Sequence, residues 1–273
     1  MFKLIINCLT TTLFVGCASL TYHSPTKKIS SIMLLDPLSD IYAYINLSKN
    51  RFIYDDLNVK YKIGLNTVGN LYLSYTKNPE SFASIITGNF PKNIYWGMQN
   101  NSNFESKGNI FTSPKWKIKN SNLYITPTKD KSGILINQKE IIQKNDNILT
   151  TKYIDILDQN EMFFWTRDIT ILMPNNVNRT NLIPFNGVIL LVNSASDIDY
   201  SLKAYLKTSN PAVLSILSKK LIPTLLANIT KLIVSSSIKS KIQDQDTVEL
   251  EFTIEKISAK HFISSLILSN NYE

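Results

Sequence analysis

Two short apolar runs constrain this chain most. Residues 37–46 and 184–193 each begin with Pro and pass through three turn-forming positions. Each then carries five apolar or aromatic residues framed by β-branched ones, Ile41 to Ile45 and Val188 to Val192. Each closes on Asn, at Asn46 and Asn193. A run apolar at nearly every position is too short for an ordinary helix. It has no polar side to show water, so it reads as a strand buried on both faces. Residues 248–255 (Val-Glu-Leu-Glu-Phe-Thr-Ile-Glu) alternate with period two instead, as a strand with one wet face does. Strands are likewise expected at 71–75, 116–119, 123–125, 133–136, 162–172 and 202–206. Turns are expected at 130–133, 197–199 and 244–246. The chain must therefore build sheet, and most of that sheet must be covered.

A second pair of segments supplies the expected cover. Asn78-Pro79 and Asn210-Pro211 each place a good N-cap before a residue suited to the first helical turn. Phe82, Ile85 and Ile86 follow the first pair, and Leu214, Leu217 and Leu221 the second, at helical spacings. The second stretch extends as an apolar helix over 212–234. Further closing helices are expected at 139–143 and 258–268. The matched blocks occur in the same order, which suggests one unit written twice. The expected fold class is α+β: two similar units, each an antiparallel sheet covered by a helix on one face. The first unit covers 32–150, a connecting strand and loop 151–183, and the second unit 184–273.

The first thirty residues bear on location. Lys3 is a short positive region, residues 4–15 are apolar, and Phe14-Val15-Gly16-Cys17 follows. The apolar stretch is short for a membrane span and of signal-peptide length. An uncleaved anchor or an ordinary secretory signal would share it. The four residues ending at Cys17 resemble a bacterial lipobox, with Phe14 where the usual pattern has Leu. The layout, with its AT-rich codon bias, resembles spirochaete lipoproteins of uncharacterised function. That resemblance implies a signal peptide over 1–16 and lipid attachment, palmitate included, at Cys17. A small, polar tether follows over 17–31 and reaches at most about 45 Å from the bilayer. Several acyl chains would hold the body firmly at a membrane of the cell envelope. Neither the periplasmic nor the surface face is specified.

The chemistry that is missing matters as much. The two cysteines are Cys8 and Cys17, so a mature chain beginning at Cys17 has neither a disulfide nor a Cys-built metal site. The two histidines are His23, in the tether, and His261. Gly-rich phosphate loops and a Gly-x-Ser-x-Gly elbow are absent from the sequence. No enzyme, cofactor or metal is expected. One cluster merits weighing: Asp155, Asp158, Glu161 and Asp168 surround Phe163-Phe164-Trp165 and Arg167. Oxygen ligands beside an aromatic platform would suit calcium or a sugar; a helix end followed by a strand accounts for the same residues. Tyr42, Tyr44, Tyr72 and Tyr75 are read mainly as sheet packing.

The formal charge is +8, yet only Arg51, Arg167 and Arg179 among 29 basic residues are arginine. Nucleic-acid contacts favour arginine, and codon bias explains much of the lysine. Nucleic acid is therefore not an expected partner. The partners expected are the membrane, through the anchor, and a protein or lipid ligand. The leading function is a membrane-anchored envelope lipoprotein with a non-enzymatic binding or scaffolding body. The alternatives are a carrier of an apolar ligand such as lipid, based on the 212–234 helix, and an envelope hydrolase with an unrecognised site.

Overall fold

The computed structural model describes residues 35, 39–51, 68–77, 80–90, 94–109, 114–128, 133–138, 159–167, 185–208, 210, 214 and 239–257. Two compact units comprise 1–39 with 43–159, and 40–42 with 160–273. The strand β1 (Ile41–Asn46) is thus divided, its first residues belonging to the second unit.

The first unit contains β2 (Val68–Thr76), β3 (Ser81–Gly88), α1 (Ile94–Asn100), β4 (Phe104–Ser106), β5 (Trp116–Ile118), β6 (Tyr124–Pro127) and β7 (Gly133–Asn137). Its strands lie in the order β1-β2-β3-β7-β6-β5-β4. Strands β4 to β7 form an antiparallel meander, and β7 returns to pair with β3. Alternate positions send Phe104, Trp116, Ile118, Ile125, Ile134 and Ile136 into the core. Helix α1 caps part of this face. The Tyr95 ring stacks on Trp116 at 5.8 Å, and Trp116 Nε1 donates to Gln99 Oε1 at 3.2 Å. Between β5 and β6 the chain turns through Asn120 at φ 59°, a left-handed conformation that Asn tolerates well.

The second unit contains β8 (Met162–Thr166), β9 (Phe185–Ser194), β10 (Asp199–Thr208), β11 (Lys239–Asp244) and β12 (Thr247–Glu255), in the order β11-β12-β10-β9-β8. Val188 to Val192 are buried without a break, as a run with no polar side requires. Strand β10 alternates instead. Tyr200, Leu202, Ala204 and Leu206 are buried opposite Ile254, Phe252, Leu250 and Val248, while Lys203 and Lys207 lie on the other face. That face carries a ladder of ion pairs: Lys203 with Glu251 at 2.6 Å and Glu249 at 3.5 Å, and Lys207 with Asp246 at 3.2 Å.

The expected α+β class, a helix covering each sheet, is not what the structure shows. Strand makes up 62% of the described residues and helix 7%, in one short helix. The segment read as the first covering helix is β3. Ala83, Ser84, Ile85, Ile86 and Thr87 are all buried, so the helical spacing of Phe82, Ile85 and Ile86 is one of many that a doubly covered strand satisfies. Ile85, Ile86 and Thr87 are also β-branched, which favours the strand. With Ser81–Gly88 a strand, the match of 78–91 to 210–223 as a repeated helix fails. The described helix, α1, falls where none was expected. Of the segment 212–234, only Leu214 is described, and it is buried. The segments 139–143 and 258–268 lie outside the described residues.

Candidate functional site

The described part of the acidic–aromatic cluster sits on β8 and its flanks. Glu161 precedes the strand and Arg167 follows it. At one end, the Glu161 N–H donates to Val192 O at 3.1 Å and to Asn193 Oδ1 at 2.9 Å. Asn193 Nδ2 donates to Asn160 Oδ1 at 2.6 Å, and Ser194 Oγ donates to Glu161 Oε2 at 2.9 Å. Tyr200, cross-strand from Ser194, is fully buried. Burial first, and then the Glu161 charge, push its phenol well above the ordinary range. Lys256 Nζ lies 5.1 Å from the Tyr200 ring centroid. These groups lock the start of β8 to the end of β9.

At the other end, the Arg167 guanidinium lies 5.6 Å from the Trp165 ring centroid. Trp165 in turn meets Tyr42 at 5.4 Å, and Arg167 N–H donates to Asp40 O at 3.1 Å. Glu161 and Trp165 are separated by about 13 Å along an extended strand. The carboxylate and the aromatic platform therefore do not converge on one ligand. Asp155, Asp158 and Asp168 lie outside the described residues, as do Cys17, His23 and His261. Among the described residues, no group of three or more His, Cys, Asp or Glu could hold a metal ion.

The tyrosines divide as packing residues do. Tyr42, Tyr44 and Tyr72 are buried and Tyr75 half-buried. The Tyr44 and Tyr72 rings lie 5.1 Å apart. Tyr44 Oη donates to Asn70 Oδ1 at 3.1 Å, and Asn70 Nδ2 donates to Thr87 Oγ1 at 3.3 Å. This polar chain links neighbouring strands inside the first unit. The lone Asn in the otherwise strand-like run 68–76 was its only sequence signal.

A second constellation, unnoticed in the sequence, lies on the solvent side of β4, β5 and β6. Lys115, Lys117 and Lys119 alternate with the buried Trp116 and Ile118, so they share one face. Glu105 lies opposite Lys117, and Lys117 opposite Tyr124. Lys107 N–H donates to Lys115 O at 2.8 Å, which continues the same row. Lys115 Nζ sits 5.0 Å from the Tyr124 ring centroid. Glu105 is ion-paired to Lys107. That hydrogen bond first, and then the charges of Lys107, Lys117 and Lys119, hold its carboxyl below the usual range. The period-two lysines in 115–119 were the available signal.

Comparison with known proteins gives a fold likeness. No protein-family model matches the chain, and no curated protein matches it in sequence. Crystal structures of TP0453, from the spirochaete Treponema pallidum, are similar to it. Crystal form I superposes with a TM-score of 0.60 at 13% identity, covering 86% of this chain and 97% of that one. Form III gives 0.58 at 10% identity, covering 89% and 99%. At these identities the likeness shows a shared fold. Among the described residues, no helix is long and apolar enough to cross a membrane, which leaves crossing by strands unaddressed.

Proposed function

We propose that this chain is a cell-envelope lipoprotein whose two sheet units form a non-enzymatic binding or scaffolding body. The observation that carries the reading is Phe14-Val15-Gly16-Cys17 at the end of a short apolar stretch. Acylation of Cys17 would fix the body to a bacterial membrane, because two or more chains anchor stably where one does not. The fold shared with a spirochaete protein supports the spirochaete-type assignment. The non-enzymatic reading is supported by a sequence without phosphate loops or a nucleophile elbow and with His261 as its one histidine beyond the tether.

The test is Cys17→Ala. The wild type should enter the detergent phase on partitioning and carry acyl chains in the mass spectrum of its N-terminal peptide. The variant should remain aqueous and unmodified. A variant that still partitions with detergent would owe its membrane attachment to something else, and the lipoprotein reading would fall.

A further inference from the structure

We propose that the exposed edge strand β11 is the surface through which two copies of this chain pair, strand to strand and antiparallel, joining their second units into one continuous sheet. The inference goes beyond the anchoring at Cys17 and does not depend on it.

Among the described residues β11 has one strand neighbour, β12. Each of its six residues, Lys239 to Asp244, is exposed. A strand in that position offers a row of backbone N–H and C=O groups that a further strand can take up. Its two sides differ. Ser240 and Ile242 stand cross-strand from the buried Leu250 and Val248, so they carry the core side of the sheet out to its margin, where Ile242 is 49% exposed. Lys239 and Lys241 stand cross-strand from Glu251 and Glu249, on the charged side. A bulge between Ile242 and Asp244 brings Asp244 opposite Thr247, two residues from Glu249 and therefore on that same charged side.

The charges on this strand select a second copy as the occupant. On the neighbouring strands the ions are matched: Lys203 with Glu251 and Glu249, and Lys207 with Asp246. Lys239 acts on Glu251. Glu249, opposite Lys241, is held by Gln243 and Lys203 instead. Among the described residues neither Lys241 nor Asp244 is in an ion pair. An acidic peptide would answer Lys241 and be repelled by Asp244, and a basic one the reverse. The same strand run antiparallel answers both. With Ile242 on the two-fold axis, Lys241 of each copy lies beside Gln243 and Asp244 of the other, and the two Ile242 side chains cover each other on the core side. Lysines on an edge strand ordinarily guard it against pairing. Here they set the register: an axis at Lys241 would stack lysine on lysine, which favours the axis at Ile242. Six residues make a small interface beside the roughly 1,200–2,000 Å² of a stable complex, so the pair is weak and its population rises with concentration.

The test is oxidative cross-linking of the full chain in detergent solution, with Cys8→Ser and Cys17→Ser so that an introduced thiol stands alone. Residues opposite each other in an antiparallel pair have Cα atoms about 4.5–5.5 Å apart, within the reach of a disulfide. Ile242→Cys should therefore give a disulfide dimer, at a yield about fivefold above Ile198→Cys and Ile257→Cys, whose positions are more exposed but lie outside β11. In the Ile242→Cys chain, Asp244→Lys and Lys241→Asp should each lower the yield by about fivefold, because like charges then face each other across the axis. Mixing those two variants should restore it, because a lysine edge then meets an aspartate edge. Asp244→Lys alone carries the test if Lys241→Asp, placed opposite Glu249, lowers the urea midpoint. Equal yields at the three cysteine positions, charge reversals without effect, or a mixture of folded variants no better than either alone overturns the proposal. Cross-linking of Ile242→Cys in whole cells to a different protein also overturns it, by assigning the edge to that protein. Partitioning of Cys17→Ala is read separately, so failure of the anchor and failure of this edge are distinguishable.

Discussion

Gly133 opens β7 at a place where nothing larger fits. An added Cβ would stand 2.9 Å from Ile86 O, 3.2 Å from Thr87 Cγ2 and 3.3 Å from Thr128 Cγ2. The first contact decides the outcome, because Ile86 O is backbone in the β2–β3–β7 ladder and cannot rotate aside. Thr128 is held too: its N–H donates to Gly133 O at 2.9 Å, and its Oγ1 accepts from Gly133 N–H at 2.9 Å. Gly133→Ala must therefore spread β3 from β7 or break the Thr128 contacts. Overpacking of this kind costs about 1–3 kcal/mol. In a unit of this size, 2 kcal/mol corresponds to a fall of roughly 4–8 °C in Tm. Gly69→Ala is the matched control. Its Cβ would lie 3.6 Å from Thr87 O, an ordinary contact, and its φ is not positive. Less freedom in the unfolded chain could make that change neutral or stabilising by up to about 1 kcal/mol. Urea and thermal melts of both variants decide the matter. Equal midpoints, or a Gly133→Ala variant as stable as wild type, would refute the steric reasoning.

Tyr44→Phe deletes the hydroxyl that satisfies Asn70 Oδ1 inside the first unit and should cost about 1–3 kcal/mol in urea melts, whereas a loss within error would mean that another donor reaches that oxygen. Acid should loosen the surface ion pairs. The carboxyls of Glu105 (by Lys107), Asp246 (by the Thr247 hydroxyl and then Lys207) and Glu251 (by Lys203) are all held low in the folded chain. Their stabilisation is therefore present above the ordinary carboxylate range, and is lost as pH falls through their depressed values. These groups are exposed, so the effect should be small at low salt and vanish near 1 M salt, where screening acts within about 3 Å. Urea midpoints that rise on acidification, or that ignore salt, would contradict this.

Legibility followed how much of each segment water can see. The alternating run at 247–255 became β12, and the turns at 197–199 and 244–246 close the β9–β10 and β11–β12 hairpins, because a half-wet strand writes its faces into the sequence. The unbroken apolar runs became β1 and β9 for the same reason in reverse. Segment 78–90 failed because burial on both faces erases the difference between period two and period 3.6. Once Ala83 to Thr87 are all covered, the apolar positions carry no phase. Helix α1 was missed because seven residues are too few to show two turns of a stripe.

The candidate sites obey the same logic with opposite results. The Glu161–Trp165–Arg167 cluster was legible because its residue types are unusual together, but proximity in sequence along a strand is not convergence. Each residue adds about 3.3 Å of separation, so chemistry that looks dense in a strand is dealt out along its length. The lysine face gains from that geometry. Lys115, Lys117 and Lys119 look like scattered charges in a lysine-rich chain until Trp116 and Ile118 are seen to be buried between them. Burial of the two apolar residues fixes the phase of the strand, and the phase forces the three ammonium groups onto one side. Replacing Ile118 with a polar residue would therefore weaken more than the core: it would remove the constraint that holds the row straight.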